Sequence, residues 1–209
     1  MKTQWLRWVV VICLLGLFFV PSTFAQEEDP ELFENHLVLS LFVGAGFPSG
    51  DFSSSNGGNH ESGGADVSLE FEWYFAKQVS AGLAVWGGIY DDKDVGDDIQ
   101  TTVGTAGAFI KYTLATNGRW HPYGKFGLGR TELEFEGFGI TIKTESGTAI
   151  MLAAGVLGRV SDLISVNGQF AYNKSSLKDA AVKGFPNTVV GFDVEYYAID
   201  VGISFYFGI

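Results

Sequence analysis

From residue 37 onward the chain alternates apolar and polar positions with a period of two, the pattern of strands whose two faces meet different surroundings. The clearest stretch is DVSLEFEWYF, Asp66 to Phe75. Val67, Leu69, Phe71, Trp73 and Phe75 share one face, and Asp66, Ser68, Glu70, Glu72 and Tyr74 share the other. Near the end, Tyr197, Ile199, Val201, Ile203, Phe205 and Phe207 alternate with Ala198, Asp200, Gly202, Ser204 and Tyr206. Residues 164–173, ISVNGQFAYN, put Ser165, Asn167, Gln169 and Asn173 on their polar face. Eight strands are predicted, near 37–47, 65–75, 79–90, 101–115, 121–136, 140–160, 164–177 and 192–207. The fifth and sixth are the least regular, because Arg130, Glu132 and Glu134 fall on the parity of Phe126 and Leu128. A bulge, or a strand running beyond the apolar band, would produce that.

The connections are of two kinds. AKQ at 76–78, TNGRW at 116–120 and SDL at 161–163 are short. The connections at 48–64, 91–99 (DDKDVGDDI) and 178–191 are longer and polar, and GFG after the fifth strand is the exception. Short turns on one rim and longer loops on the other are the layout of an outer-membrane barrel. Alternation alone does not say which face is inside, since a soluble lipocalin-like binder would hide the apolar face that a membrane barrel presents to lipid. Small residues decide for lipid outside: Gly82, Ala84, Gly88, Gly107, Gly127 and Gly202 lie opposite the bulky face, where they would relieve crowding in a narrow interior. Glu70, Glu72, Lys111, Lys125 and Asp200 share that face, and charges of both signs can pair there. Aromatics at strand ends predict two girdles, with Trp73, Phe75, Tyr112, Trp120, Tyr123, Phe205 and Phe207 at one rim. Phe47, Tyr90, Phe135, Tyr172 and Tyr197 would form the other.

The last strand carries a further signal. Asp200, Gly202, Phe205 and Phe207 match every fixed position of a polar–x–Gly–x–x–aromatic–x–aromatic pattern, followed here by Gly208 and Ile209. This resembles the C-terminal signal of outer-membrane β-barrel proteins, and the resemblance implies recognition of the strand by the barrel-assembly machinery. The whole layout is similar to the small eight-stranded outer-membrane proteins of the outer membrane protein X and W type. The expected fold is therefore all-β, a closed eight-stranded antiparallel up-and-down transmembrane β-barrel.

The N-terminus agrees with that destination. Lys2 and Arg7 precede an uncharged apolar run from Trp8 to Val20, Pro21 ends it, and Thr23 and Ala25 place small residues before Gln26. That order predicts a cleaved secretory signal peptide over 1–25, since the run is too short to cross a bilayer as a helix. A polar tail over 26–36 and a barrel domain over 37–209 follow. Cys13, the only cysteine, leaves with the signal, so the mature chain has no disulfide. Losing Lys2 and Arg7 takes the formal charge from −11 to −13. A surface of that sign repels nucleic acid.

Candidate chemistry is sparse. His36 lies in the tail and His121 beside Trp120 and Pro122 in a turn. His60 and Ser62 form a His-x-Ser pair that resembles the catalytic arrangement of outer-membrane lipid A deacylases. Their Gly/Ser-rich setting would not hold a base against a hydroxyl, so no catalytic residues are expected. Asp92, Asp94 and Asp97, with Asp91 and Asp98 around Gly96, offer closely spaced carboxylates for a weak calcium site, or for divalent bridging to lipopolysaccharide. No cofactor is expected. The partners expected are outer-membrane lipid, lipopolysaccharide and the barrel-assembly machinery, around a monomer located in the bacterial outer membrane. A structural or surface-interaction role through the loops fits best. The alternatives are a narrow channel for small apolar molecules, a lipid A-modifying enzyme and a soluble lipocalin-like binder.

Overall fold

The computed structural model describes residues 35–53, 61–92, 96–114, 116, 118–137, 140–144, 146–177, 181–182, 185–189 and 193–208. Its strands are β1 (His36–Ser49), β2 (Glu61–Ala76), β3 (Val79–Asp92), β4 (Gly96–Thr113), β5 (Trp120–Gly137), β6 (Ile140–Lys143), β7 (Gly147–Arg159), β8 (Ile164–Ser176), β9 (Ala181–Val182), β10 (Phe185–Val189) and β11 (Val194–Gly208). Neighbours pair antiparallel around the sheet, and β4 pairs with β5 while β1 pairs with β11. The sheet is therefore a closed barrel of eight strands, one of them made of β6 and β7. Closure leaves no barrel edge for another chain to add to. The seam runs from His36 opposite Gly208 to Ser49 opposite Glu195. β9 and β10 form a small separate hairpin.

Alternation becomes geometry as expected. Leu39, Leu41, Val43, Leu69, Phe71, Leu83, Val85, Leu128, Leu152 and Ile199 face outward and are exposed, while Glu70, Glu72, Lys111, Lys125, Gln169 and Asp200 face the lumen and are buried. An apolar exterior around a polar interior suits lipid, where an outward charge would cost about 2–4 kcal/mol at the bilayer midplane. Among the described residues no helix is long and apolar enough to cross a membrane. Crossing is by strands. These run to 18 residues in β4 and β5, more than the roughly 9–11 that a tilted strand needs to cross. The surplus stands on the longer-loop side, where Arg130, Glu132 and Glu134 continue the outward face of β5 past the apolar band.

Several expectations need correction. The stretch 140–160 is not one strand. It is broken between β6 and β7, because Glu134 pairs with Lys143 but Thr131 with Gly147, so one extra residue sits on the β6–β7 side. Thr144 occupies the break, its backbone N–H donating to Leu133 O at 3.0 Å and its Oγ1 accepting from the Leu133 N–H at 3.0 Å. Both explanations for the irregular parity thus operate together, a bulge on one strand and an overhang on the other. The segment 91–99 is only partly a loop, since β3 reaches Asp92 and β4 starts at Gly96. His36 begins β1 rather than ending a tail, and His121 lies within β5 and is buried on the lumen face rather than in a turn. Tyr90 and Tyr123 belong to no girdle: both point inward and are buried.

Candidate functional site: the filled lumen and its mouth

Inward-facing side chains fill the barrel in layers. At the short-turn end Val38, Tyr74, Tyr123, Leu157 and Tyr206 form an apolar cluster. The Tyr74 hydroxyl meets Thr113 Oγ1 at 3.0 Å, and Lys111 Nζ lies 5.2 Å from the centre of the Tyr74 ring. Lys111 also pairs with Glu72 at 2.5 Å, and Ser80 donates to Glu72 at 3.1 Å. Above them Lys125 is ion-paired with Glu70 and donates to Gln169 Oε1 at 3.0 Å. Its ammonium lies 5.1 Å from the centre of the Phe42 ring and 5.5 Å from that of Phe109, so cation–π attraction adds to the ion pair. Glu70 also accepts from Ser68, and Gln169 passes the chain on by donating from Nε2 to Asp200 Oδ2 at 3.0 Å. The two lysine–glutamate pairs come from strands that are not neighbours, β2 with β4 and β2 with β5, so they span the lumen.

At the longer-loop end a second apolar cluster includes Phe52, Tyr90, Val103, Leu133, Leu177, Val194 and Tyr196. Phe52 comes from a one-turn 3-10 helix, Gly50–Ser53, directly after β1. Gly50 starts that turn at φ +56°, a conformation that costs glycine little, and this turns the chain back over the barrel. Phe52 packs edge-on against Tyr90 with ring centres 5.1 Å apart, and Tyr90 lies 5.5 Å from Tyr196. Phe52, Tyr90 and Tyr196 are essentially inaccessible to solvent. Sequence reasoning missed Phe52, which lies outside any alternating stretch, in a segment read as a polar loop.

The residues singled out from sequence fall in separate places. Asp200 and Gly202 face the lumen, and Gly202 leaves room for the Phe42 ring, which a Cβ there would meet at 2.5 Å. Phe205 and Phe207 face outward on the same strand, paired with Leu39 and Leu37. Asp92 and Asp97 lie on the ends of β3 and β4, while Asp94 falls outside the described residues, as does His60. Ser62 lies on β2. Among the described residues no three His, Cys, Asp or Glu side chains gather at metal-binding distance. On the overhang, Lys143 pairs with Glu134 at 2.9 Å, and the hydrogen bond to that carboxylate holds its ammonium above the ordinary lysine range.

Comparison with known proteins agrees with this architecture. The family model described as the outer membrane protein beta-barrel domain matches residues 10–207. Among solved structures, Neisserial surface protein A superposes with a TM-score of 0.61 at 15% identity, covering 83% of this chain and 98% of that one. OprG from Pseudomonas aeruginosa gives 0.55 at 14% identity, with 87% and 100% covered. The attachment invasion locus protein Ail of Yersinia pestis gives 0.53 at 14%, with 83% and 99% covered. No curated protein sequence matches this chain. At these identities the likeness to solved structures is one of fold.

Proposed function

Because the chain belongs to the outer membrane protein beta-barrel domain family, we propose that it serves the bacterial outer membrane as a non-enzymatic barrel that acts through its outward-facing loops and rim. The filled lumen carries this reading. Two ion pairs cross the interior, and Phe52, Tyr90 and Tyr196 pack together at the mouth, so bulky and charged side chains stand where a solute would have to pass. What the molecule offers its surroundings is then its apolar belt, which lipid covers, and the strand ends and loops that rise beyond it. The loops at 48–64 and 91–99 carry net negative charge. Ail has been captured with the heparin analogue sucrose octasulfate. An acidic surface such as this one would instead meet a cationic partner, or lipopolysaccharide phosphate through bridging divalent cations. Export would use residues 1–25 as a cleaved signal peptide, and Asp200, Gly202, Phe205 and Phe207 would present the last strand to the barrel-assembly machinery.

Planar-bilayer recording together with retention on immobilised lipopolysaccharide tests the proposal. Purified barrel is expected to give no steady conductance steps and to be retained more strongly with calcium than with chelator. The substitutions Asp92→Asn, Asp94→Asn and Asp97→Asn together should remove most of the calcium effect. Steady steps without retention would reassign the protein to the narrow-channel role. A change in lipid A mass that disappears with His60→Ala would make it an enzyme.

A further inference from the structure

The outer wall of the barrel carries a trough that changes character along its length. β3 and β4 meet with Gly87 opposite Gly104, so this rung bears no side chain on the outer face. A Cβ at Gly104 would meet nothing within 4 Å. Around the gap Val85, Thr102, Ala106, Arg130 and Glu132 line one hollow. Leu39, Leu69, Phe71, Leu83, Val85 and Ala106 line a second, on the short-turn side of the first. The two share Val85 and Ala106 and so run into each other. One half of the trough is walled by apolar side chains, and the longer-loop half carries charge.

The charges stand in a fixed order on β5. Ala106 of β4 is opposite Arg130, Gly104 opposite Glu132 and Thr102 opposite Glu134. Glu134 is bridged to Lys143 at 2.9 Å, so those two charges offset each other. Arg130 is exposed and, among the described residues, has neither an ion pair nor a hydrogen bond. It is the first charge beyond the exposed Leu128 on the outward face, and Glu132 is the next outward position, about 7 Å farther along the strand. From the hydrocarbon outward, a ligand in the trough meets apolar walls, then a cation, then an anion. The amphiphile of matching polarity has an acyl chain, then a phosphate, then an ammonium.

We propose that this trough binds one molecule of outer-leaflet lipid A whose phosphate carries an ethanolamine group. An acyl chain lies along Ala106, Leu83 and Phe71, the phosphate takes the Arg130 guanidinium, and the terminal ammonium meets the Glu132 carboxylate. Arginine suits the phosphate because its planar fork donates two parallel hydrogen bonds to phosphate oxygens. A bare phosphate would bring its full negative charge beside Glu132, so the ethanolamine-bearing form is preferred. Gly87, Gly104 and Ala106 let the chain approach the backbone closely, and close contact is what favours association where every surface is already apolar. The site rests on the outer-membrane reading above, with the longer loops outward. It differs from bridging by calcium in that the contact is direct and needs no metal.

Native mass spectrometry tests this on the mature chain, refolded in detergent with a chelator present. The probes are lipid A with and without ethanolamine on its phosphate. One ethanolamine-bearing molecule per barrel should bind saturably and several-fold tighter than the bare form. Arg130→Gln should weaken binding about tenfold, the loss of one charge-assisted contact, and Glu132→Gln should erase the preference between the probes. Gly104→Leu fills the trough from a position where a Cβ meets no neighbouring atom, so it should fold, judged by gel mobility before and after boiling, and still lose binding. Absence of a saturable adduct overturns the proposal. So does equal binding of the two probes by the unaltered chain, or binding that survives both Arg130→Gln and Gly104→Leu. Calcium-dependent retention on lipopolysaccharide is read separately through the loop aspartates, so either reading can fail while the other stands.

Discussion

Lys125 shows how much a single side chain carries inside this barrel. Its ammonium is buried, paired with Glu70, bonded to Gln169 and set near two aromatic rings. Lys125→Met would remove the charge while keeping the length, leaving Glu70 buried without its counter-ion. A loss of about 3–5 kcal/mol is expected in urea unfolding followed in micelles. Adding Glu70→Leu should recover most of that loss, because an apolar pair of similar volume avoids the desolvation cost of both ions. If the double variant is as unstable as the single one, the pair is not what holds this layer. The inward placement of Glu70, Glu72, Lys111, Lys125 and Asp200 is legible from parity alone. Which lysine meets which glutamate is not, because that depends on strands facing one another across the lumen. Lying near strand ends suggests girdle positions for Tyr90 and Tyr123, yet Tyr90 shares the parity of Gly88 and Tyr123 that of Lys125. The signal that would have placed them inside was in the alternation itself.

Among the elements, the junction of β6 and β7 is the one where local chemistry departs from simple alternation. Thr144 is fully buried there, and its hydroxyl stands in for the ladder carbonyl that the extra residue displaces from the Leu133 N–H. Thr144→Val would keep the shape and strip that acceptor. The orphaned amide should cost about 1–3 kcal/mol, and hydrogen exchange at Leu133 should quicken relative to its neighbours on β5. Unchanged protection at Leu133 would mean that backbone pairing alone secures the junction. The position of this break could not be read beforehand, since a two-residue period survives on either side of a bulge with only its phase altered. The overhang of β5 is legible only as one of two explanations for Arg130, Glu132 and Glu134, since charges on an otherwise apolar face signal either a bulge or a strand that has left the hydrocarbon.

For the molecule as a whole, the closed ladder predicts a form that detergent alone does not open. Unboiled protein should migrate apart from boiled protein on a denaturing gel, and the two should merge once residues 205–209 are removed, because the seam then loses the pairs of Phe205 and Phe207. A compact band surviving that deletion would show that seven strands and a shortened eighth suffice. Eight strands, their order and the inside-out polarity were all legible, because lipid imposes one rule on every outward position. The aromatic cluster at the mouth was not, since Phe52 reaches it by a turn whose direction depends on Gly50 and on the tyrosines across the lumen. The pairing of β1 with β11 also sets a timetable. The ring is completed only when the first and last strands of the barrel meet, almost the whole described chain apart in sequence, and such distant pairings are slow because the intervening chain must be ordered first. Until that meeting every partial sheet has two raw edges and an apolar face with no lipid against it. A barrel of this kind is therefore exposed to aggregation throughout its assembly, and it becomes safe only at that final step.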